Sequence, residues 1–225
     1  MSTALVTGAS RGIGRAIALR LASTHEIVAV ARSQPELDRL VSEVEGAGGR
    51  CRAVPLDVSD PEAVRAALQG VEADMLVNNA GVGVMKPLLE MEPAEWGRMM
   101  DVNVNALYHV TRAVLPGMVR RGRGHVVTIG SLAGRNTFAG GTAYTGTKHF
   151  VIGFSESLML EVREHGVKVS VVMPGSVDTG FGGGGRDKSW ALKPEDVAEA
   201  VVHLLETPPH VLVSRVEMRP RTTGR

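Results

Sequence analysis

One cysteine, Cys51, stands in 225 residues. A lone thiol excludes an intramolecular disulfide framework and a zinc centre of clustered cysteines, so no metal is expected. Charge of one sign is equally lacking, with 25 Lys and Arg against 24 Asp and Glu. Such a balance sets up no long-range field and gives no reason to expect nucleic acid or an anionic membrane as partner. No apolar run reaches the roughly 20 residues needed to cross a bilayer. A basic stretch ahead of an apolar segment is missing at the N-terminus, where Ala4, Leu5, Val6 and Thr7 follow almost at once. A soluble cytoplasmic protein without a membrane partner is the expectation. Cys51 lies in an alternating apolar run and is expected to be a buried small hydrophobe.

What the chain does have is 44% hydrophobic content at a length suited to one core. Strand-like and helical patterns alternate along it. Residues 3–7 read as a strand, followed by Gly8-Ala9-Ser10-Arg11-Gly12-Ile13-Gly14 and a helical run from Ala16. Strand, glycine turn and helix in that order make a phosphate site, because glycines admit close backbone approach and the helix start offers free N–H groups. A second strand is expected at 27–31, a third at 51–56, a fourth at 74–77, a fifth at 126–129 and a sixth at 167–172. Helices lie between them, and a last strand is expected at 211–218. Residues 93–119 read as one long helix, in which Asn103 is expected to face solvent or bond back to its own helix. The alternation predicts an α/β fold: a single-domain, doubly wound parallel sheet of about seven strands with helices on both faces. No internal boundary or repeat divides residues 1–225. A flexible glycine-rich loop is expected at about 180–190 and a loose tail at 219–225.

Several residues fall at the carboxyl ends of these strands, where open α/β sheets bind ligands. Asn78, Asn79, Ala80 and Gly81 follow the fourth strand, Ser131 follows the fifth, and Pro174 and Gly175 follow the sixth. The asparagines read equally well as turn formers. The second strand ends at Arg32, with no acid before Glu36. A cation there suits a ribose 2′-phosphate, so NADP(H) is expected ahead of NAD(H), with Arg11 as a second cation. Tyr144 and Lys148 are four residues apart and share one face of a predicted helix. An ammonium beside a phenol favours the phenolate, which would bring Tyr144 towards proton exchange near neutral pH.

Together these motifs resemble the short-chain dehydrogenase/reductase family over nearly the whole chain. The resemblance rests on the glycine loop, Asn78-Asn79-Ala80-Gly81, Asn103, Ser131, Tyr144-x-x-x-Lys148, and Pro174-Gly175 with Thr179. It implies that Tyr144 is the acid–base residue of carbonyl reduction or alcohol oxidation. Lys148 would lower the Tyr144 pKa and hold the nicotinamide ribose, and Ser131 would bond the substrate oxygen. Asn103 would help hold a water that links Lys148 to solvent. Cofactor contacts are implied for Gly8, Ser10, Arg11, Gly12, Ile13 and Gly14, then for Arg32, Asp57, Val58, Asn79, Ala80 and Gly81. Tyr144, Lys148, Pro174, Gly175, Val177 and Thr179 complete that set, with Asp57 accepting from the adenine amino group and Thr179 binding the carboxamide.

Two departures from the family pattern bear on the site. Gly130 stands before Ser131 where many members carry serine or asparagine, and a looser turn is expected there. The end Glu217-Met218-Arg219-Pro220 lacks the Asp-Gly-Gly of ketoacyl reductase-like members, so small hydroxy-acid or general carbonyl reductases are the nearer comparison. The partner implied is a small carbonyl or alcohol substrate, with its specificity expected to lie in residues 82–87 and 180–190, and a homo-oligomer, tetramer or dimer, is expected. The alternatives are an NADP(H)-binding regulatory protein without turnover and a sugar-nucleotide epimerase-like enzyme.

Overall fold

The protein is described here by a computed structural model covering residues 1–181 and 189–222. Most of the loop expected at 180–190, and the last three residues of the expected tail, lie outside the described residues. The chain runs β1 (Ser2–Thr7), α1 (Gly12–Leu21), β2 (His25–Ala31), α2 (Gln34–Gly46), β3 (Arg50–Pro55), α3 (Pro61–Leu68) and β4 (Met75–Asn78). It continues with α4 (Pro93–Met100), α5 (Ala106–Arg121), β5 (Gly124–Ile129), α6 (Thr142–Val162), β6 (Val167–Pro174), α7 (Pro194–Leu205) and β7 (Arg215–Met218). The seven strands form one sheet in the order β3-β2-β1-β4-β5-β6-β7, and every paired ladder is parallel.

A parallel strand covered on both faces buries both sets of alternating side chains. In β1, Ala4 and Val6 pack with α1, α2 and α7 on one face, while Leu5 points to the other. Ile27 and Ala29 of β2 share the first face, and Val28 and Val30 share the second. That second face is covered by α3, α5 and α6, through Val64, Val110, Val114 and Leu158. Each such side chain, fully buried, contributes about 1.5–3 kcal/mol. A charge at Val77, which has no exposed surface, would forfeit that and leave an unpaired ion in the core. From β1 the strand order runs out to β3 and then returns to β4 on the opposite side. The crevice opens at that reversal, beyond the carboxyl ends of β1 and β4.

Local chemistry sets the helix starts. Asp60 caps α3 by accepting from the amides of Glu62 and Ala63, each at 3.0 Å, with Pro61 at the first helical position. Strand bounds sit one or two residues from those expected, except at the ends of the chain's pattern. The last strand starts at Arg215 rather than 211, and the Ser214 carbonyl, just ahead of it, already accepts from the Val171 amide. Cys51 is half-buried on the edge strand β3, not fully enclosed. The long helix expected at 93–119 is interrupted. Residues Asp101–Asn105 form a π-helical turn between α4 and α5, with the Ala106 amide donating to the Asp101 carbonyl. A π-turn inserts a residue into the helix and turns the side chains around it.

Candidate active site

The turn after β1 is built to receive an anion. Arg11 precedes α1 in an extended conformation, makes no side-chain cap, and no acid occupies the first helical turn. The leading amides and the positive end of the helix dipole are therefore directed at the loop without a competing carboxylate. Gly14 lies directly under that loop, where a Cβ would fall 2.3 Å from the Gly8 carbonyl oxygen. Only glycine lets α1 approach β1 so closely.

The floor of the crevice is stapled across the strand reversal. Thr7 Oγ1 accepts from the amides of Asn79 at 3.0 Å and Ala80 at 3.1 Å. Asn79 Nδ2 donates to the carbonyls of Thr7 at 2.9 Å and Gly8 at 3.3 Å. Asn78 is buried and donates to Thr111 Oγ1 of α5 at 3.0 Å. These asparagines, which also read as turn formers, hold β1, β4 and α5 together.

A cleft of about 590 Å³ runs from the glycine loop past this floor to Tyr144. Gly8, Ser10, Arg11, Gly12 and Ile13 line its first part, with Arg32, Asp57 and Val58 beside them. Asn79, Ala80 and Gly81 line its middle. Ser131, Tyr144, Lys148, Pro174, Gly175, Val177 and Thr179 line the far part. Of the residues expected at the site, only Gly14 and Asn103 lie outside the cleft wall. Gly14 underpins the loop, and Asn103 lines a small cavity of about 20 Å³ that also touches Lys148. Such a space is large enough for one water.

At the glycine-loop end, the Arg32 guanidinium stands 3.9 Å from Asp57 Oδ2, both groups being about half exposed. Burial raises the Asp57 carboxyl, but hydrogen bonds from the Ser59 hydroxyl and amide, with Arg32 and Arg98 nearby, bring it below its ordinary value. Asp57 is thus a held acceptor, and Arg32 keeps donors for a further anion, because an exposed pair of this kind binds weakly.

At the chemical end, Ser131 follows β5 and its Oγ accepts from the Ala133 amide at 3.1 Å, opening a 3₁₀ turn over Leu132–Gly134. The Ser131 hydroxyl also lies close enough to the Tyr144 hydroxyl to act on its proton. Tyr144 and Lys148 are both buried on α6, with the Lys148 ammonium 5.9 Å from the Tyr144 ring centre. Lys148 Nζ donates to the Ile129 carbonyl at 3.2 Å. The expectation that Lys148 depresses the Tyr144 pKa is not met in the protein by itself. Burial raises the Tyr144 hydroxyl, and the nearby Ser131 hydroxyl opposes the rise. Burial also lowers Lys148 to about 8. Desolvation pushes both groups towards their neutral forms.

Asn103 differs from its expected placement. It is 4% exposed, and its side chain bonds neither solvent nor its own helix. Oδ1 accepts from the Val82 amide and Nδ2 donates to the Val82 carbonyl, each at 2.8 Å, with a further bond to Thr147 Oγ1 at 3.1 Å. The π-turn aims it across at α6 and at the segment after β4. Gly130 does not loosen its turn either. A Cβ there would stand 3.1 Å from Val171 and 3.2 Å from Met173, so the glycine allows β5 to close on β6.

Sequence reasoning reached two of the cleft's other walls only as stretches, 82–87 with Met85 and 180–190 with Phe181, and missed Arg98, Leu132 and Phe138. Arg98 of α4 lines it, and so do Met85, Leu132, Phe138 and Phe181. Phe181 lies just beyond the Pro174–Thr179 motif, and its ring centre is 5.9 Å from that of Tyr144. An aromatic two residues after Thr179 was a usable signal. Nothing local marks Arg98. Among the described residues no group of His, Cys, Asp and Glu is arranged to hold a metal, and no helix is long and apolar enough to cross a membrane.

Residues 2–189 match the family described as short chain dehydrogenase. The chain is 38% identical to the NADP-dependent 3-hydroxy acid dehydrogenase YdfG of Escherichia coli strain K12, over 97% of this chain and 94% of that one. A metagenomic short-chain oxidoreductase solved in complex with NADP superposes with a TM-score of 0.88 at 39% identity, covering 99% of this chain and 98% of the other. The closed form of a serine dehydrogenase complexed with NADP+ gives a TM-score of 0.90 at 37% identity, covering 96% and 94%.

Proposed function

The chain belongs to the short-chain dehydrogenase/reductase family and is an NADP(H)-dependent oxidoreductase of carbonyl and alcohol groups, in which we propose that Tyr144 exchanges the proton and that the chain works as a carbonyl reductase. One observation carries the assignment of Tyr144: its hydroxyl meets the Ser131 hydroxyl at the inner end of a cleft whose outer end is an anion cradle. The residues present fit NADP(H). The uncapped start of α1 and the close approach at Gly14 suit a pyrophosphate, Arg11 and Arg32 suit a 2′-phosphate, and Asp57 offers the adenine an acceptor. Asn79, Ala80, Gly81, Pro174, Gly175, Val177 and Thr179 would hold the nicotinamide half, and Val58 the adenine.

When bound, NADPH supplies the hydride that reduces the carbonyl carbon, forming a C–H bond as the C=O double bond becomes single. The chain's own residues handle the oxygen. Ser131 and Tyr144 place two hydroxyl donors where negative charge develops. Tyr144 then gives up its proton to form the alcohol O–H, and the reverse transfer serves oxidation. Lys148, held near 8 by burial, is poised to restore that proton. The small cavity beside Lys148 supports a water link to solvent. Because the Asn103 side chain is committed to Val82 and Thr147, its share in holding that water would pass through the π-turn main chain.

One domain would carry both sites, residues 1–225 acting together. A homo-oligomer is part of this reading, supported by exposed Tyr108 on α5 and by Phe150 and Leu160 on α6. A cytoplasmic location rests on the sequence reading alone. The test is NADPH oxidation with a carbonyl panel, using wild type and Tyr144→Phe. Turnover lost in the variant with NADPH binding retained supports the proton role. Full turnover in the variant overturns it, and binding without turnover on any carbonyl favours a regulatory protein.

A further inference from the structure

Arg98 reaches the cleft from a different element than Arg11 and Arg32. Those two follow β1 and β2, whereas Arg98 lies in the last turn of α4. Its side chain is exposed at the cleft wall, and its charge reaches Asp57. Burial raises that carboxyl and the Ser59 hydrogen bonds lower it, with Arg32 and then Arg98 adding to the lowering. The guanidinium is therefore within electrostatic range of the acceptor given to the adenine.

The backbone that carries Arg98 is held on both sides. At the head of α4 the Glu95 carboxylate accepts from the Glu92 amide at 3.1 Å and from Lys86 Nζ at 2.6 Å. Met99, next in the chain, has no exposed surface, and its Sδ accepts from the Val84 amide at 3.4 Å. The π-turn that follows is clamped to Val82 through Asn103, each bond being 2.8 Å. Arg98 thus starts from a fixed Cα and has only its own side chain to order when a ligand arrives.

The walls beside it suit a purine. Val102, four residues on from Arg98, lines the cleft together with Leu56, Asp57 and Val58. Val58 and Val102 also both line the small cavity that touches Lys148, so the two side chains stand close together. Branched aliphatic side chains cover a flat ring, a carboxylate accepts from an amino group, and a planar guanidinium lies well on an aromatic face. Valine side chains have no donor for a phosphate oxygen, so this wall fits the base rather than the 2′-phosphate.

We propose that Arg98 is a cofactor-binding residue that lays its guanidinium on the adenine beside Asp57, and so serves the part that NADPH and NADH have in common. The proposal rests on the NADP(H) reading above. It divides the arginines of the cleft by task, Arg32 reading the 2′-phosphate and Arg98 the purine.

Fluorescence titration of wild type and Arg98→Ala gives the affinities for NADPH and NADH. Displacement of bound NADPH gives that for ADP, which carries the purine without the 2′-phosphate or the nicotinamide. All three ligands are expected to weaken by one common factor, about fivefold. Arg98→Lys, which keeps the charge and loses the plane, is expected to recover part of that loss. Weakening of NADPH alone overturns the purine contact and gives Arg98 to the 2′-phosphate. Unchanged affinity for all three, or a lysine variant equal to wild type, also overturns the planar contact. In each of those cases the NADP(H) reading stands. Wild type that binds neither NADPH nor NADH overturns that reading and the proposal with it.

Discussion

The two ends of the cleft are made of different material. The cofactor end is largely main chain, in the Gly8–Gly14 turn and the amides at the start of α1, with arginines added at its rim. The substrate end is largely side chain, in Met85, Leu132, Phe138 and Phe181. Main-chain geometry is set by the sheet ladder, so the first end accepts one class of ligand and tolerates little change. Side-chain walls can be recut without disturbing a strand. Tyr144, Ser131 and Lys148 stand at the boundary, on α6 and at the end of β5, and have to serve both ends.

The largest effect expected from cutting that boundary is Tyr144→Phe. It should lower kcat about a thousandfold, or about 4 kcal/mol, with NADPH affinity by fluorescence kept. An equal loss of affinity would erase the division, placing Tyr144 with the cofactor end. Lys148→Met comes next. Native Lys148 loses its proton near 8, below the ordinary 10.5 of the unfolded chain. Between those values the unfolded state binds more protons, so wild-type stability rises with pH across that window. Below pH 8 the native protein bears the full cost of a buried ammonium, and the methionine variant should be more stable there by up to about 3 kcal/mol. Urea denaturation of both proteins from pH 7 to 10.5 should show that advantage shrinking, and a constant difference would deny burial as its cause.

Asn103→Ala tests the substrate end from behind. Losing three bonds, two of them to Val82, should cost about 2 kcal/mol in urea and raise substrate KM with NADPH affinity kept. The smallest expected change is at the cofactor rim. Arg32→Ala should weaken NADPH about tenfold, or about 1.4 kcal/mol, and leave NADH unaffected. Equal weakening of both cofactors would show that Arg32 serves the common part of the nucleotide.

What was legible in the sequence follows the same division. Strands buried on both faces read as unbroken apolar runs, so the alternation and the parallel sheet were visible in residues 3–7, 27–31 and 126–129. The glycine turn was visible because backbone approach demands particular residues at particular spacing. The substrate walls left a coarser trace, the stretches 82–87 and 180–190 without a named side chain, and Phe138 left none, since such walls need only be apolar and present. Asn103 was misplaced because helical periodicity does not reveal a π-turn, which forms where tertiary bonds to Val82 and Thr147 outweigh a regular ladder. The Tyr144 pKa was misjudged because spacing shows the neighbouring charge and not the depth of burial.

The bonds among Thr7, Asn79 and Ala80 carry a consequence for motion. They join two strands that are some 70 residues apart in the chain, at the one place where the sheet's winding reverses. Neither strand end can fray alone, so the amides of Asn79 and Ala80 should exchange with deuterium only when both halves of the sheet open together. The floor of the cleft is then expected to open only with the sheet itself.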